Sequence, residues 1–177
     1  MGINMKKIKF HRMPIVCLTA YNKFSAELAD KYCDLILVGD SLGMAYYGNS
    51  STRSVTIQDI IRHAKSVRKG IKKSIMVVDM PYGSYKHKKL ALSNAKKIIK
   101  ETGCDAVKLE GGHEIKDIIK YLVQNNINVM GHIGLLPQKV RKKSDYKAKG
   151  NKKNDKTKII KDLHSITSAG VFSIVLE

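Results

Sequence analysis

Short apolar runs rich in β-branched residues alternate along the chain with amphipathic segments. A run of this kind predicts a strand that is covered on both faces, as in a parallel sheet. The six predicted strands are residues 15–20, 35–39, 75–78, 106–109, 129–132 and 173–176. The segments between them predict helices, so the chain is expected to form an α/β domain built on a parallel sheet.

The clearest predicted helix covers residues 56–70. Thr56 and Asp59 have the spacing of a capping box at its start, and Gly70 stands where a helix C-cap favours a residue tolerant of positive φ. The apolar face of this helix is formed by Ile57, Ile60, Ile61, Ala64 and Val67. The same spacing predicts further helices at residues 24–32, 90–103, 115–122 and 159–166.

Polar side chains stand at the carboxyl ends of the second to sixth predicted strands: Asp40, Asp79, Glu110, His132 and Glu177. The alternation of strands and helices alone allows either a doubly wound sheet or a closed barrel. In a (β/α)₈ barrel these strand ends converge on one mouth, where the active site lies, so their polar character favours the barrel. Neither GxGxxG after the first strand nor GxxxxGK[ST] occurs, which argues against dinucleotide-binding and P-loop folds.

Three of these residues, Asp40, Asp79 and Glu110, would supply carboxylate oxygens at one point. Hard oxygen ligands suit Mg²⁺ rather than a soft metal. Lys108, beside Glu110, could hold the carboxylate of a substrate. Such a site could form an enolate from a 2-oxo acid, because a cation stabilises the negative charge that develops.

Each residue also has a purely structural interpretation. Asp40 and Asp79 could be turn residues that follow their strands. Lys108 and Glu110 share one side of a strand and could form a buried ion pair. His132 could be a hydrogen-bonded histidine of the core. The residues alone leave these alternatives open.

Five segments resemble motifs of the ketopantoate hydroxymethyltransferase (3-methyl-2-oxobutanoate hydroxymethyltransferase) family, in the family's order and spacing. They are LTAYN at 18–22, LVGDSLGM at 37–44, VKLEGG at 107–112, GHIGLLPQ at 131–138 and IVLE at 174–177. The resemblance implies a (β/α)₈ TIM barrel of the phosphoenolpyruvate/pyruvate type, of which about six βα units are present. It places the catalytic barrel domain at residues 13–177, after an N-terminal tail at residues 1–12.

The resemblance also implies roles for the polar residues. Asp40 and Asp79 would bind Mg²⁺, and Glu110 would complete or support the metal site. Ser41 and Lys108 match residues that hold the carboxylate of the 2-oxo acid and its neighbouring oxygens.

The reaction implied by the family is transfer of a one-carbon unit from 5,10-methylenetetrahydrofolate to 3-methyl-2-oxobutanoate, giving 2-dehydropantoate for pantothenate and coenzyme A biosynthesis. Glu177 matches the general base that takes the proton from carbon 3, and His132 matches a substrate-pocket residue near that carbon. The magnesium-bound enolate would then attack the iminium derived from the folate. The partners implied are these two small molecules and further copies of the chain, as a homo-oligomer that is a decamer in the family.

The family continues for two strands beyond this sequence. Six strands cannot close a (β/α)₈ barrel, so we expect the first and sixth strands to be exposed edges. We therefore expect the sequence to be a fragment or a truncated gene product, which in isolation folds poorly or aggregates.

Charge and cysteine content bear on partners and location. The formal net charge is +18, which raises the possibility of nucleic-acid binding. The densest basic cluster, residues 139–161, almost lacks aromatic stacking residues, so we interpret it as a mobile loop and predict no nucleic-acid partner. The three cysteines are odd in number and far apart, and no apolar run is long enough for a membrane span. We therefore predict a cytoplasmic protein without a membrane partner.

Two other functions remain open at this stage. The same fold and metal could serve an enolate-forming lyase of the phosphoenolpyruvate mutase/isocitrate lyase type. That group usually carries a catalytic cysteine in a glycine-rich loop, and none of Cys17, Cys33 and Cys104 has such a context. The chain could also be an inactive fragment with a basic binding surface.

Overall fold

All six strands form one parallel sheet in the computed structural model, which describes residues 14–177. The strands are β1 (Cys17–Thr19), β2 (Leu35–Val38), β3 (Ile75–Asp79), β4 (Ala106–Glu110), β5 (Val129–Ile133) and β6 (Ser173–Leu176). Each pairs with the next strand of the sequence, in the order β1 to β6. A doubly wound sheet reverses its order part-way, whereas this unbroken succession is that of a (β/α)₈ barrel.

The predicted strands are confirmed, and the largest difference in length lies at an edge of the sheet. β1 is shorter than predicted and all three of its residues are exposed, whereas every residue of β3, β4 and β5 is buried. β1 and β6 are the outer strands, as predicted from a count of six. The predicted N-terminal tail, residues 1–12, and Met13 lie outside the described residues.

Helices follow the strands, and all but the short α2 were predicted from the apolar spacing. They are α1 (Lys23–Ala29), α2 (Leu42–Ala45), α3 (Ile57–Arg68), α4 (Lys88–Thr102), α5 (Lys116–Gln124) and α6 (Lys153–Ser168). The capping box at the start of α3 is present in full, since Thr56 and Asp59 each accept the other's backbone N–H. No helix within residues 14–177 is long and apolar enough to cross a membrane.

Gly70 does not have the conformation predicted for it. It is not among the glycines with positive φ, and α3 ends instead through Lys69 in the right-handed helical region. A Cβ at Gly70 would lie 2.4 Å from the carbonyl oxygen of Lys23 and 2.8 Å from the backbone nitrogen of Glu27. The glycine is therefore required by the close approach of α1 to the end of α3.

The basic cluster at residues 139–161 is not a single loop. Its last nine residues, 153–161, belong to α6, and two short 3₁₀ helices, Pro137–Lys139 and Lys143–Asp145, lie in or next to its first part. The interpretation of the whole cluster as a loop was wrong, because the apolar spacing of α6 begins inside it.

Side chains of the sheet point alternately outward to the helices and inward to the barrel axis. The inward set forms a small apolar cluster of Leu35, Ile75, Val77, Ala106 and Met130. The outward set joins the helices in the main core, which includes Ile36, Met76, Val78, Val107 and Leu109. The inward positions nearest the carboxyl ends of the strands are polar, and these polar positions form the candidate site.

Candidate active site

Strand alternation brings the predicted site residues to the inner face of the sheet. Asp79 is two residues after the inward Val77, and Lys108 is two residues after the inward Ala106. Glu110 is two residues after Lys108 on β4, and His132 is two residues after the inward Met130 on β5. All four side chains are at least 95% buried. The fold therefore places four polar groups in a desolvated region, where each needs a partner.

Asp40 and Asp79 meet directly. The carboxylate oxygen Oδ2 of Asp79 accepts the backbone N–H of Asp40 at 3.0 Å, and both residues are buried. Lys108 Nζ lies 3.0 Å from the other oxygen of Asp79. The lysine that was considered as the partner of Glu110 is thus paired with Asp79, on the neighbouring strand.

The carboxylates around Asp40 and Asp79 outnumber the positive charges near them. Burial, and then the nearby Asp79 carboxylate, raise the pKa of Asp40 to about 7. Burial alone would lower the pKa of Lys108, but the carboxylates of Asp79 and Glu110 outweigh it and raise this pKa. The single ammonium therefore cannot compensate all the carboxylates, and the region favours a further positive charge.

Glu110 contacts the loop after β5 and His132 on β5. Its oxygen Oε2 accepts the backbone N–H of Gln138 at 2.9 Å, and its Oε1 lies 3.7 Å from His132 Nδ1. Burial raises the pKa of Glu110 to about 8, against the opposing effect of Lys108.

His132 connects Lys108 to Glu177. Lys108 Nζ lies 3.2 Å from His132 Nδ1, and His132 Nε2 lies 3.1 Å from Glu177 Oε2. An ammonium can only donate, so Nδ1 accepts and the imidazole proton resides on Nε2, which lies beside Glu177 but makes no hydrogen bond within the described residues. Burial, and then the Lys108 charge, lower the pKa of His132 to about 3, so the ring is neutral.

Glu177 is held through its backbone by the turn that follows β5. Its carbonyl oxygen accepts the N–H of Leu135 at 2.8 Å, and its N–H donates to Ile133 at 3.2 Å. Gly134 has a φ of 93°, and a Cβ there would lie 2.2 Å from the Glu177 carbonyl oxygen. The turn needs glycine for both reasons, and it fixes the backbone from which the half-exposed Glu177 side chain projects.

Ser41 lies at the start of α2, beside the carboxylate pair. Its hydroxyl makes no helix-capping hydrogen bond and instead lies 2.9 Å from the Tyr21 hydroxyl. All seven residues predicted for the site, including the partly buried Ser41, thus lie at the carboxyl ends of β2 to β6.

Comparison with known proteins identifies the family. The family model for ketopantoate hydroxymethyltransferase matches residues 3–177. The chain belongs to the ketopantoate hydroxymethyltransferase family. A relative from Pelagibacter ubique (strain HTCC1062), named 3-methyl-2-oxobutanoate hydroxymethyltransferase, is 53% identical over 169 residues, which are 96% of this chain and 65% of the relative. A relative of the same name from Rhizobium etli is 50% identical and covers 93% of this chain and 60% of the relative. The chain therefore spans about two thirds or less of the length of these relatives.

Solved structures agree on the fold. A phosphoenolpyruvate phosphomutase from Streptomyces platensis subsp. rosaceus has a TM-score of 0.71 at 14% identity, covering 99% of this chain and 64% of its own. A 2,3-dimethylmalate lyase, described as a member of the phosphoenolpyruvate mutase/isocitrate lyase superfamily, has a TM-score of 0.67 at 13% identity, covering 92% and 56%. These likenesses confirm the predicted barrel type for this member of the ketopantoate hydroxymethyltransferase family.

The donor set of this family member fits a hard divalent cation at two carboxylates. Asp40 and Asp79 are adjacent, buried and short of positive charge, which a cation would supply. Within residues 14–177, no group of three His, Cys, Asp or Glu side chains is close enough to form a metal cluster. Glu110 is therefore not brought into one ligand set with the two aspartates, and its predicted supporting role stays a prediction.

Two residues of the site were missed by the sequence analysis. Gln138 is 3% exposed and contacts both Asp40 and Glu110. Tyr85 donates its hydroxyl to Gln138 and lies 3.2 Å from the Glu110 carbonyl oxygen. Both belong to loops between elements, where no periodicity marks an inward-facing side chain. The only signal in the sequence was the position of Gln138 at the end of the GHIGLLPQ motif.

A cavity of about 470 Å³ lies beside the site, between the turn after β5 and α6. Its lining includes Gly134, which is two residues after His132. The lining also includes Lys147, Lys149 and Lys158. None of the three predicted metal-site carboxylates lines it. The cavity is thus a separate space that adjoins the Glu177 side of the site.

Proposed function

We propose that the protein is a 3-methyl-2-oxobutanoate hydroxymethyltransferase that uses 5,10-methylenetetrahydrofolate and forms 2-dehydropantoate. The observation that supports this most strongly is that His132 lies between Lys108 and Glu177, within 3.2 Å of each, and that Lys108 is paired with Asp79. It combines a buried cation site and a buried positive charge with a half-exposed carboxylate base. Proton removal next to a 2-oxo acid requires these three elements.

The cation site would consist of Asp40 and Asp79, with Mg²⁺ as the ion. When bound, Mg²⁺ would polarise the keto group of the 2-oxo acid and stabilise negative charge on its oxygen. Glu110 would support the site by holding the Lys108 ammonium in its charged form.

The substrate carboxylate would be bound by Lys108 and Ser41. The ammonium has three N–H donors, of which Asp79 and His132 occupy two. The third donor and the Ser41 hydroxyl remain to bind the anionic end of 3-methyl-2-oxobutanoate. Because Lys108 is buried among carboxylates, its charge is retained at physiological pH and is available for this purpose.

Glu177 would act as the base. Nε2 of neutral His132 lies 3.1 Å from one Glu177 oxygen without a hydrogen bond to it, and the second oxygen would take the proton of carbon 3. Breaking that C–H bond leaves an electron pair on carbon 3. This carbon would then form the new C–C bond to the methylene carbon of the folate-derived iminium. A water molecule would supply the hydroxyl group that replaces the methylene C–N bond, and tetrahydrofolate would leave with the remaining proton of that water on its nitrogen.

The folate co-substrate would enter from the Glu177 side. The adjoining cavity of about 470 Å³ is lined by four lysines and three aspartates, so its charged lining has a net charge of +1, which slightly favours an anionic ligand. We also propose that the chain from residue 13 onward forms a single catalytic domain and that the protein assembles into a homo-oligomer.

Exchange of the carbon-3 proton of 3-methyl-2-oxobutanoate tests this function without requiring folate. In D₂O with Mg²⁺, ¹H NMR should show loss of that proton signal, and EDTA should stop the loss. Glu177→Gln should slow the exchange by about 10²- to 10⁴-fold, the usual contribution of a positioned base. Glu101→Gln, a surface carboxylate on α4 paired with Lys65, is the matched control and should exchange at the parent rate. Exchange by Glu177→Gln at the parent rate would exclude Glu177 as the base.

A further inference from the structure

Gln138 connects the ends of three strands. It lies in the 3₁₀ helix Pro137–Lys139 that follows β5. Its side-chain Nε2 donates to Asp40 Oδ2 at 2.8 Å, beyond β2, and to the Met80 carbonyl oxygen at 3.0 Å, beyond β3. Its backbone N–H donates to Glu110 Oε2 at 2.9 Å, on β4. One buried residue of the β5 loop thus contacts the carboxyl ends of β2, β3 and β4.

The orientation of the Gln138 amide is fixed by its neighbours. Nε2 faces two groups that can only accept, the Asp40 carboxylate and the Met80 carbonyl. Oε1 faces the Tyr85 hydroxyl, which donates to it. The reversed amide would place its oxygen against a carboxylate and a carbonyl, which is repulsive, so a single orientation is stable.

The Asp40 and Asp79 carboxylates are held in different ways. Asp79 is fixed on one oxygen by the Asp40 N–H and on the other by the Lys108 ammonium. Among the described residues, Gln138 is the side chain that donates a hydrogen bond to the Asp40 carboxylate. Without it, repulsion from Asp79 would turn the Asp40 carboxylate away, because no other hydrogen bond to this carboxylate is present within residues 14–177.

We infer that Gln138 is a positioning residue that fixes the Asp40 carboxylate for a divalent cation. By occupying Oδ2, the amide leaves Oδ1 as the oxygen available to the ion. Hydrogen bonds to ligating carboxylates commonly set metal affinity in this way, and their loss typically costs about 10- to 100-fold. The inference rests on the proposed function, since it takes Asp40 and Asp79 as the cation site.

A merely structural role in anchoring the β5 loop predicts something different. The loop is also anchored by the backbone of Gln138, through its N–H to Glu110 and through its carbonyl oxygen, which accepts from Arg53 at 3.0 Å. These backbone bonds persist in any side-chain variant. A loop anchor would change thermal stability without changing cation affinity, whereas a positioning residue must change cation affinity.

Mn²⁺ binding, measured by electron paramagnetic resonance of the free ion, separates these roles. Gln138→Met keeps the length of the side chain and removes its donors, and it should weaken Mn²⁺ binding by about 10- to 100-fold. Gln138→Asn keeps the amide but is one methylene too short to reach Asp40, so it should weaken binding as well and decides the question if the methionine variant does not fold. Asn94→Ala is the matched control, because Asn94 donates only to the Ser84 carbonyl oxygen, at 2.7 Å. It should lower the melting temperature and leave Mn²⁺ affinity unchanged.

The outcomes distinguish the inference from the function on which it rests. If the parent protein binds Mn²⁺ and either folded Gln138 variant binds it equally well, Gln138 does not position Asp40. If the parent protein itself binds no Mn²⁺, the cation site of the proposed function is wrong, and the role of Gln138 is wrong with it.

Discussion

The two ends of the same sheet use buried aspartates in opposite ways. At the amino ends of the strands, Asp30 accepts backbone N–H groups from Lys72, Lys73 and Ser74 at 2.8–3.3 Å. At the carboxyl ends, the Asp40 carboxylate accepts one side-chain hydrogen bond and lies against Asp79. At Asp30, backbone N–H groups stabilise the negative charge. At Asp40 the negative charge lacks such partners, and a cation would stabilise it.

The pKa values follow this difference. Burial would raise the pKa of Asp30, but the hydrogen bonds from Ser74, Lys72 and Lys73 outweigh it and lower the pKa below its ordinary value. Burial raises the pKa of Asp40 to about 7 and that of Glu110 to about 8. A carboxylate that stabilises the fold and a carboxylate kept for chemistry can thus be told apart by the number of N–H groups directed at them.

The largest expected effect is the loss of cation binding in Asp40→Asn. We expect Mn²⁺ or Mg²⁺ affinity to fall by more than about 100-fold, above the range for residues that only support a ligand. The same change should leave the metal-free protein at least as stable as the parent, because it removes repulsion between two buried carboxylates. Isothermal titration and thermal melting with EDTA measure both. A clear loss of metal-free stability would show that Asp40 serves the fold, as Asp30 does.

Asp30→Asn should have the opposite profile. We expect a loss of about 2 kcal/mol in the free energy of unfolding at pH 7, since hydrogen bonds to a charged group are removed, with cation affinity unchanged. A lowered pKa in the folded state gives stability that is present above the ordinary value of 3.8 and is lost as the pH falls through the folded value. Urea unfolding of both proteins should therefore show a difference at pH 7 that shrinks below about pH 4. A difference that is independent of pH would contradict the account of Asp30.

A third effect is expected in the pH dependence of the free energy of unfolding of the metal-free protein. Because the pKa values of Asp40 and Glu110 are raised on folding, the folded state binds more protons than the unfolded state between their ordinary and raised values. Their contribution to stability should therefore decline as the pH rises from about 4 to about 8, by at most about 1.4 kcal/mol per pH unit for each group. The lowered pKa of His132 acts in the opposite direction between about 3 and 6.5 and reduces the net slope there. Saturating Mg²⁺ should reduce this slope, because the cation favours the ionised form. A slope that Mg²⁺ does not change would show that these carboxylates do not belong to the cation site.

The sequence predicts those parts of the fold and site that depend on periodicity. Asp79 and Lys108 could be placed at the barrel mouth because they extend strands whose alternation is readable. Gln138 could not, because its contact with Asp40 joins residues 98 positions apart and arises only when two loops meet. Gly70 was misread because a helix end and a close helix approach both select glycine, and the sequence does not separate the two.

The partner of Lys108 shows the same limit at shorter range. Glu110 shares its strand and its side, so the sequence offers it as the partner, yet the ammonium lies against Asp79 of β3. Residues 79 and 108 are register partners of the β3–β4 pair, and that register follows from packing of the whole sheet. The sequence predicts where a residue lies along its own strand, but it does not predict which residue of the neighbouring strand lies beside it.

A crystal of the protein grown with MnCl₂ tests the shared cation site most directly. The anomalous difference map should show one strong peak per chain at the carboxyl ends of β2 and β3, bound by Asp40 and Asp79 together. A peak bound by only one of these aspartates, or none at this end of the sheet at saturating Mn²⁺, would contradict it.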